Sequence, residues 1–155
     1  IESLALGRQF SGDTNDPNRS CKIEVLGPPI NGTADNDNSD SIILALEHLG
    51  HRVLLPGDLE KTGLSLLLKS DPIDFDLVMA AHHGSKNSLP SEFMDWSTPE
   101  YVVISGGSQR VSDATVAMFA AASRQVARTD RDGAVRFEVG QRGLKLRRWK
   151  QDKWQ

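Results

Sequence analysis

The stretch Leu77-Val78-Met79-Ala80-Ala81-His82-His83-Gly84-Ser85 decides how this chain is read. Its apolar first half has the near-continuous character of a strand buried on both faces. A pair of imidazoles then stands where the strand runs out. A second apolar run, His51-Arg52-Val53-Leu54-Leu55-Pro56, ends nearby in Gly57-Asp58. Asp58 and His82 are 24 residues apart, and the interval Leu59 to Ser70 has the apolar spacing of one helix. Two parallel strands joined by that helix would carry Asp58 and the histidines to the same sheet edge. In open α/β sheets that carboxyl edge is where ligands bind. Carboxylate oxygen and imidazole nitrogen together suit Zn, Mn or Fe.

Each of these residues also has a plainer reading. Asp58 precedes a helical pattern and could cap it, which is worth about 1 kcal/mol. Taken alone, capping is the commoner role. His82 and His83 could be a satisfied pair bonded to carbonyls at a strand end. The loop Gly84-Ser85-Lys86-Asn87-Ser88 offers hydroxyls, an ammonium group and free N–H groups to a phosphate, and is equally an ordinary turn. The joint occurrence of Asp58 with the pair favours a ligand role. His48 and His51 flank a turn, are expected to be exposed, and are assigned no role.

The surrounding pattern is that of an α/β protein. Gly7 to Ser20 reads as loop, Lys22 to Leu26 as a strand, and Asn31 to Asp40 as a surface loop. Strands are expected at Ser41–Glu47, Arg52–Leu55, Asp76–Ala81, Tyr101–Ile104, Gln125–Arg128, Ala134–Val139 and Gly143–Trp149. Helices are expected at Leu59–Ser70, Pro90–Trp96 and Asp113–Ser123, the last capped by Ser112 or Asp113. Asp132-Gly133 is a hairpin signal. Strands alternating with helices require at least one parallel crossover. There is no internal repeat.

The 155 residues, 38% hydrophobic and 25% charged, fit one domain with a reasonable core, and the net charge of −3 gives no general attraction to nucleic acid. The local balance differs: between Arg142 and Gln155 six cations face only Asp152. Such a stretch is usually a solvated end and less often a phosphate contact. Cys21 is the sole cysteine, so no intrachain disulfide forms. No apolar stretch approaches the ~20 residues of a membrane span. Nucleotide fingerprints of the G-x-G-x-x-G or G-x-x-x-x-G-K-[ST] type are absent.

Five pieces occur in order: Asn38-x-x-Ser41-Ile42-Ile43-Leu44; Leu55-Pro56-Gly57-Asp58-Leu59-Glu60; Asp76-Leu77-Val78 running into His82-His83-Gly84-Ser85-Lys86-x-Ser88; Pro99-x-Tyr101-Val102-Val103-Ile104-Ser105; and Arg128-Thr129-Asp130-x-Asp132-Gly133. As a set they resemble the second half of a metallo-β-lactamase-fold domain, of the type attached to competence DNA-uptake channel proteins. The resemblance implies half of an αββα sandwich, a mixed sheet with helices packed on one face, and a site for one or two Zn or Mn ions. Asp58 matches the bridging carboxylate. His83 is favoured as the metal ligand and His82 as the histidine facing substrate, so that Asp58 and His82 form the catalytic pair. Ser85, Lys86 and Ser88 would contact phosphate. The reaction implied is phosphodiester hydrolysis, with a nucleic acid as the plausible substrate, in an extracytoplasmic setting.

The chain departs from that pattern in two places. The principal metal motif, His-x-His-x-Asp-His, does not occur, and Val111-Ser112-Asp113 stands where many relatives carry His-Pro. Since catalytic zinc usually has three protein ligands, further ligands must come from outside. The start at Ile1 suggests the C-terminal portion of a longer domain, with residues 1–20 as loop or linker. The missing N-terminal half, or another copy of the chain, would then be its partner. Alone, the chain is expected to be inactive. Two other readings stand beside this one: a non-catalytic half-domain acting as an interaction module, and an unrelated doubly wound domain holding an anion at Gly84-Ser85.

Overall fold

A computed structural model describes residues 7–11, 20–106, 111–150 and 152–155. Seven strands form one mixed sheet in sequential order: β1 (Gln9–Ser11), β2 (Lys22–Gly27), β3 (Ile43–His48), β4 (His51–Leu55), β5 (Leu77–Met79), β6 (Tyr101–Ile104) and β7 (Gln125–Arg128). The first four pair antiparallel through short connections. From β4 onward every pairing is parallel. The crossovers carry α1 (Lys61–Leu67), α2 (Pro90–Ser97) and α3 (Asp113–Ala122). Three parallel crossovers thus stand where at least one was expected, and the fold is α/β.

Strand register sorts the side chains onto two faces. Ala45, Leu54 and Val78 lie opposite one another and pack with Leu64 and Leu67 of α1 and Phe93 and Trp96 of α2. Val102 and Ile104 continue that face against Met94 and Phe119. All three helices therefore cover one side. On the other side Leu77, Tyr101 and Val103 meet Val135, Phe137 and Leu144. These come from a second, antiparallel sheet ordered β10 (Lys153–Trp154), β9 (Gly143–Lys150) and β8 (Val135–Gly140).

Several boundaries differ from the sequence expectation. Gly7 to Ser20 is not all loop, because Gln9–Ser11 pairs with β2; residues 12–19, and Gly107 after β6, lie outside the described residues. The helix expected over Leu59–Ser70 is shorter. Leu59 is fully buried and Glu60 is extended (φ −152°, ψ 176°), so the helix starts only at Lys61. Asp58 is consequently not its cap. Ser112 does cap α3, accepting from the Thr115 N–H at 3.1 Å. Asp132-Gly133 is not a hairpin turn: Thr129–Asp132 forms one helical turn, α4, and the strands on either side belong to different sheets. The Asp132 carboxylate explains the diversion, since it accepts from the Arg128 N–H at 2.9 Å and pairs with Arg148 of β9 at 3.2 Å. His48 and His51 are half-buried rather than exposed. His51 Nδ1 lies 3.0 Å from Asp76 Oδ1.

A candidate metal centre at the carboxyl edge of the sheet

Four parallel strands end on one edge and each delivers polar groups there. β4 runs into Asp58, β5 into His82 and His83, β6 into Ser105 and Gly106, and β7 into Arg128 and Thr129. β4 and β5 are hydrogen-bonded neighbours, with Val53 opposite Leu77 and Leu54 opposite Val78. After Ala81 the backbone turns left-handed through His82 (φ 46°, ψ 45°), His83 (φ 57°, ψ 23°) and Gly84 (φ 80°). Two successive non-glycine residues in that region carry strain of order 1–3 kcal/mol each, of the kind that clusters at functional sites. The surrounding contacts hold them there. The His82 N–H donates to the Gly57 carbonyl at 3.0 Å, tying the two strand ends together. Gly84 packs on Phe119 and Val111, where an added Cβ would lie 3.4 Å from the Phe119 ring.

The turn sends the two rings to different partners. His83 Nδ1 lies 2.8 Å from the Ser105 carbonyl oxygen, an acceptor, so Nδ1 carries the proton and donates. In the neutral ring Nε2 then presents a lone pair, and it faces Asp58 Oδ1 at 3.4 Å. Two acceptors aimed at each other call for a positive charge between them, a proton or a metal ion. Ligands about 2.0–2.2 Å from a tetrahedral ion stand roughly 3.4 Å apart, so this separation suits one ion. A backbone carbonyl orienting the opposite nitrogen is also how metal-bound histidines are commonly held. Asp58 is half-exposed, and the pair opens on a pocket of about 190 Å³ whose walls include Leu55, Met79 and Ser105.

His82 turns the other way. Its Nδ1 lies 3.0 Å from Oε2 of Glu60, whose side chain is only 6% exposed. The other oxygen, Oε1, accepts from Asn36 Nδ2 at 3.2 Å and Asn38 Nδ2 at 3.4 Å. Burial works to raise the Glu60 pKa, but hydrogen bonds from Asn36, His82 and Asn38 outweigh it and hold the carboxyl below its ordinary range. An ionised Glu60 makes His82 Nδ1 the donor, leaving Nε2 as the free lone pair. Behind this, Asp35 accepts from Thr62, and the single Ser39 hydroxyl proton is shared between Asp35 at 3.0 Å and the Glu60 carbonyl at 3.2 Å. Glu60, Asn36 and Asp35 were not singled out by spacing. The signal available is a second acid, Glu60, two residues after Asp58 and beside the apolar Leu59.

The remaining candidates are placed differently. Ser88 is buried, and its hydroxyl donates to the Ser85 carbonyl at 2.6 Å. The Ser85 hydroxyl accepts from the Asn87 N–H at 3.2 Å. Lys86 is exposed and borders a shallow groove with Leu89 and Met118. None of the three lines the pocket beside Asp58 and His83. At the end of β7, the buried Arg128 forms a two-point pair with Asp130, at 3.0 and 2.7 Å. Thr129 Oγ1 accepts from the Gly106 N–H and so ties β6 to β7. Among the described residues, no group of three or more His, Cys, Asp or Glu side chains converges to hold a metal ion.

No family model matches the chain. It is 30% identical over 129 residues to ComE operon protein 3 of Bacillus subtilis (strain 168), a match covering 80% of this chain and 16% of that protein. It is also 30% identical over 132 residues to Competence protein ComA of Neisseria gonorrhoeae, covering 81% of this chain and 19% of that one. The chain thus spans less than a fifth of the length of either relative. No helix among the described residues is long and apolar enough to cross a membrane. The similarity runs through most of the chain, and it makes this protein a relative of competence proteins.

Proposed function

We propose that this chain supplies part of a metal-dependent phosphodiesterase site in a metallo-β-lactamase-like sandwich, acting on DNA in the course of its uptake. One observation carries the reading: a tautomer-fixed His83 Nε2 facing a carboxylate oxygen of Asp58 at 3.4 Å, at the ends of adjacent parallel strands. The relationship to competence proteins supports DNA as the substrate class.

Asp58 and His83 would hold one Zn or Mn ion together, and the two oxygens of Asp58 allow it to reach a second. Such an ion acidifies a bound water and stabilises charge on phosphoryl oxygens. His82, with Nδ1 held by Glu60, can take up or return a proton at Nε2, and the ionised Glu60 stabilises the imidazolium that results. Ser85 and Lys86 stand next in the chain, where Lys86 can meet a phosphate. The ligands still needed come from an upstream segment or a second copy. Leu44 and Leu46, half-buried on the sheet face opposite the helices, offer that segment an apolar seat.

A non-catalytic interaction module is the second reading, and the observation favouring it is that Asp58 and His83 are joined by no third metal-ligating side chain among the described residues. The test compares Zn and Mn binding by this chain with binding by a longer polypeptide that includes upstream sequence, alongside hydrolysis of bis(p-nitrophenyl) phosphate. The expected result is weak metal binding by the chain alone. The longer protein should bind metal and hydrolyse the ester, with both abolished by Asp58→Asn. Tight metal binding or hydrolysis that survives Asp58→Asn removes Asp58 from the site, and a longer protein with neither property supports the module.

A further inference from the structure

The second sheet has an outward face that no part of the proposed metal centre uses. Strand alternation puts Val135, Phe137 and Leu144 against the main sheet, with the Phe137 and Tyr101 rings 5.4 Å apart at an edge-on angle. The intervening residues Arg136, Lys145, Arg147, Trp149 and Trp154 must therefore point away, together with Glu138. Their mutual contacts agree. The Arg136 guanidinium stacks over the Trp154 ring at 4.8 Å, Trp154 meets Trp149 edge-on at 5.3 Å, and Glu138 contacts both Arg136 and Arg147. Trp149 is 40% exposed, a high value for the largest apolar side chain.

We infer that this face binds single-stranded nucleic acid. Three cations against one carboxylate give this face a positive balance on a chain whose net charge is −3. Cations alternating with indole rings on a rigid sheet match an unpaired strand, whose phosphates meet the cations while its bases stack on the rings. A duplex hides its bases and gains only the charge contacts. An anionic membrane would favour an amphipathic helix with an aliphatic face, and this surface is a sheet carrying Glu138 in its middle. The surface is independent of Asp58 and His83, so its test is run without metal.

Fluorescence anisotropy of a labelled 15-nucleotide oligothymidylate, measured in EDTA with the 155-residue chain, reads the binding directly. The single strand should bind more tightly than a duplex of equal length. Its affinity should fall with salt at a log–log slope of about −2 for three cations. Trp149→Ala should weaken binding roughly ten-fold by loss of stacking, while Trp149→Phe retains most of it. Lys145→Glu should weaken binding and flatten the salt slope. Circular dichroism should match the parent chain for each variant, and Trp149→Phe, which keeps an aromatic ring beside Trp154, should keep the parent melting temperature. The inference is overturned if the oligonucleotide does not bind at low salt, or if it binds with the same affinity after Trp149→Ala and Lys145→Glu. It is also overturned if these substitutions abolish binding to phosphatidylserine vesicles and leave DNA binding unchanged. Loss of hydrolysis in Asp58→Asn leaves it untouched.

Discussion

His82 and His83 are adjacent in the chain, yet they sit in opposite kinds of surroundings. His82 joins a closed network: Glu60 is buried and receives hydrogen bonds from the imidazole, Asn36 and Asn38, with Ser39 and Asp35 braced behind. His83 faces outward, with one nitrogen tied to Ser105 and the other left against a half-exposed Asp58 across 3.4 Å. The difference separates two tasks. A buried carboxylate with several hydrogen bonds braces both the fold and the ring beside it, whereas a half-exposed carboxylate beside one imidazole contributes little to stability. Substitution at Glu60 should therefore cost far more stability than substitution at Asp58.

The largest effect is expected at Glu60. Glu60→Ala leaves His82, Asn36 and Asn38 without their shared acceptor in a buried setting. Each donor that loses its acceptor costs up to about 1–3 kcal/mol, and three of them share this one. Urea unfolding should show a midpoint lowered accordingly, with Glu60→Gln intermediate because it keeps one acceptor oxygen. A Glu60→Ala midpoint equal to the parent's would mean that the network is not closed, and the contrast with Asp58 would vanish.

Gly63 should come next. A Cβ there would lie 1.9 Å from the Ser39 carbonyl oxygen, so α1 and the 31–40 loop touch backbone to backbone. Gly63→Ala forces them apart, at a cost of about 1–3 kcal/mol for overpacking. The same displacement draws Ser39 and Asn38 away from Glu60. Double-mutant analysis with Glu60→Gln should therefore give a non-additive result, and strict additivity would place the two residues in separate units.

These two cases also show how far the sequence could be read. The parallel strands were legible because Leu77-Val78-Met79 and Tyr101-Val102-Val103-Ile104 are apolar on both faces, and only a sheet covered twice demands that. The proximity of Asp58 and His83 followed from one helix separating two such strands. What was hidden depends on contacts distant in sequence. The helix after Asp58 starts late because Leu59 is drawn into the core and Glu60 toward Asn36 and His82, neither of which a local helix propensity registers. Asp132-Gly133 has the composition of a hairpin turn, but the Asp132 carboxylate is claimed by Arg128 and Arg148. Ser88 has a substrate-binding composition and a buried hydroxyl already committed to Ser85.

Acid should weaken the closed network together with other bonded carboxylates. Glu60, Asp76 and Asp132 all have carboxyls held below their ordinary range: burial opposes this, and hydrogen bonds from their neighbours prevail. A depressed folded-state pKa means that the unfolded chain binds protons first. The stability these groups contribute is complete above about pH 4.5 and is lost as pH falls through their lower folded values. Urea midpoints should thus be flat from pH 7 to 5 and decline below. Glu60→Gln should show a shallower decline than the parent chain, and an unchanged slope would assign the acid response to other bonded carboxylates such as Asp76 and Asp132.

Asp58 should give the smallest change in stability. Its carboxylate caps no helix, stays half in solvent and, among the described residues, pairs with His83. Surface substitutions without such obligations usually fall within about 0.5 kcal/mol, so Asp58→Asn should leave the urea midpoint within that margin. If the acid and imidazole are held together for their own sake, as an ion pair with protonated His83, the midpoint should instead drop by more than the 0–1 kcal/mol typical of an exposed pair only where the pair is locally dry. The half-exposure of Asp58 argues against that. A stable fold after Asp58→Asn, combined with lost metal binding in the longer protein, would show that the gap between the two residues is kept for an ion.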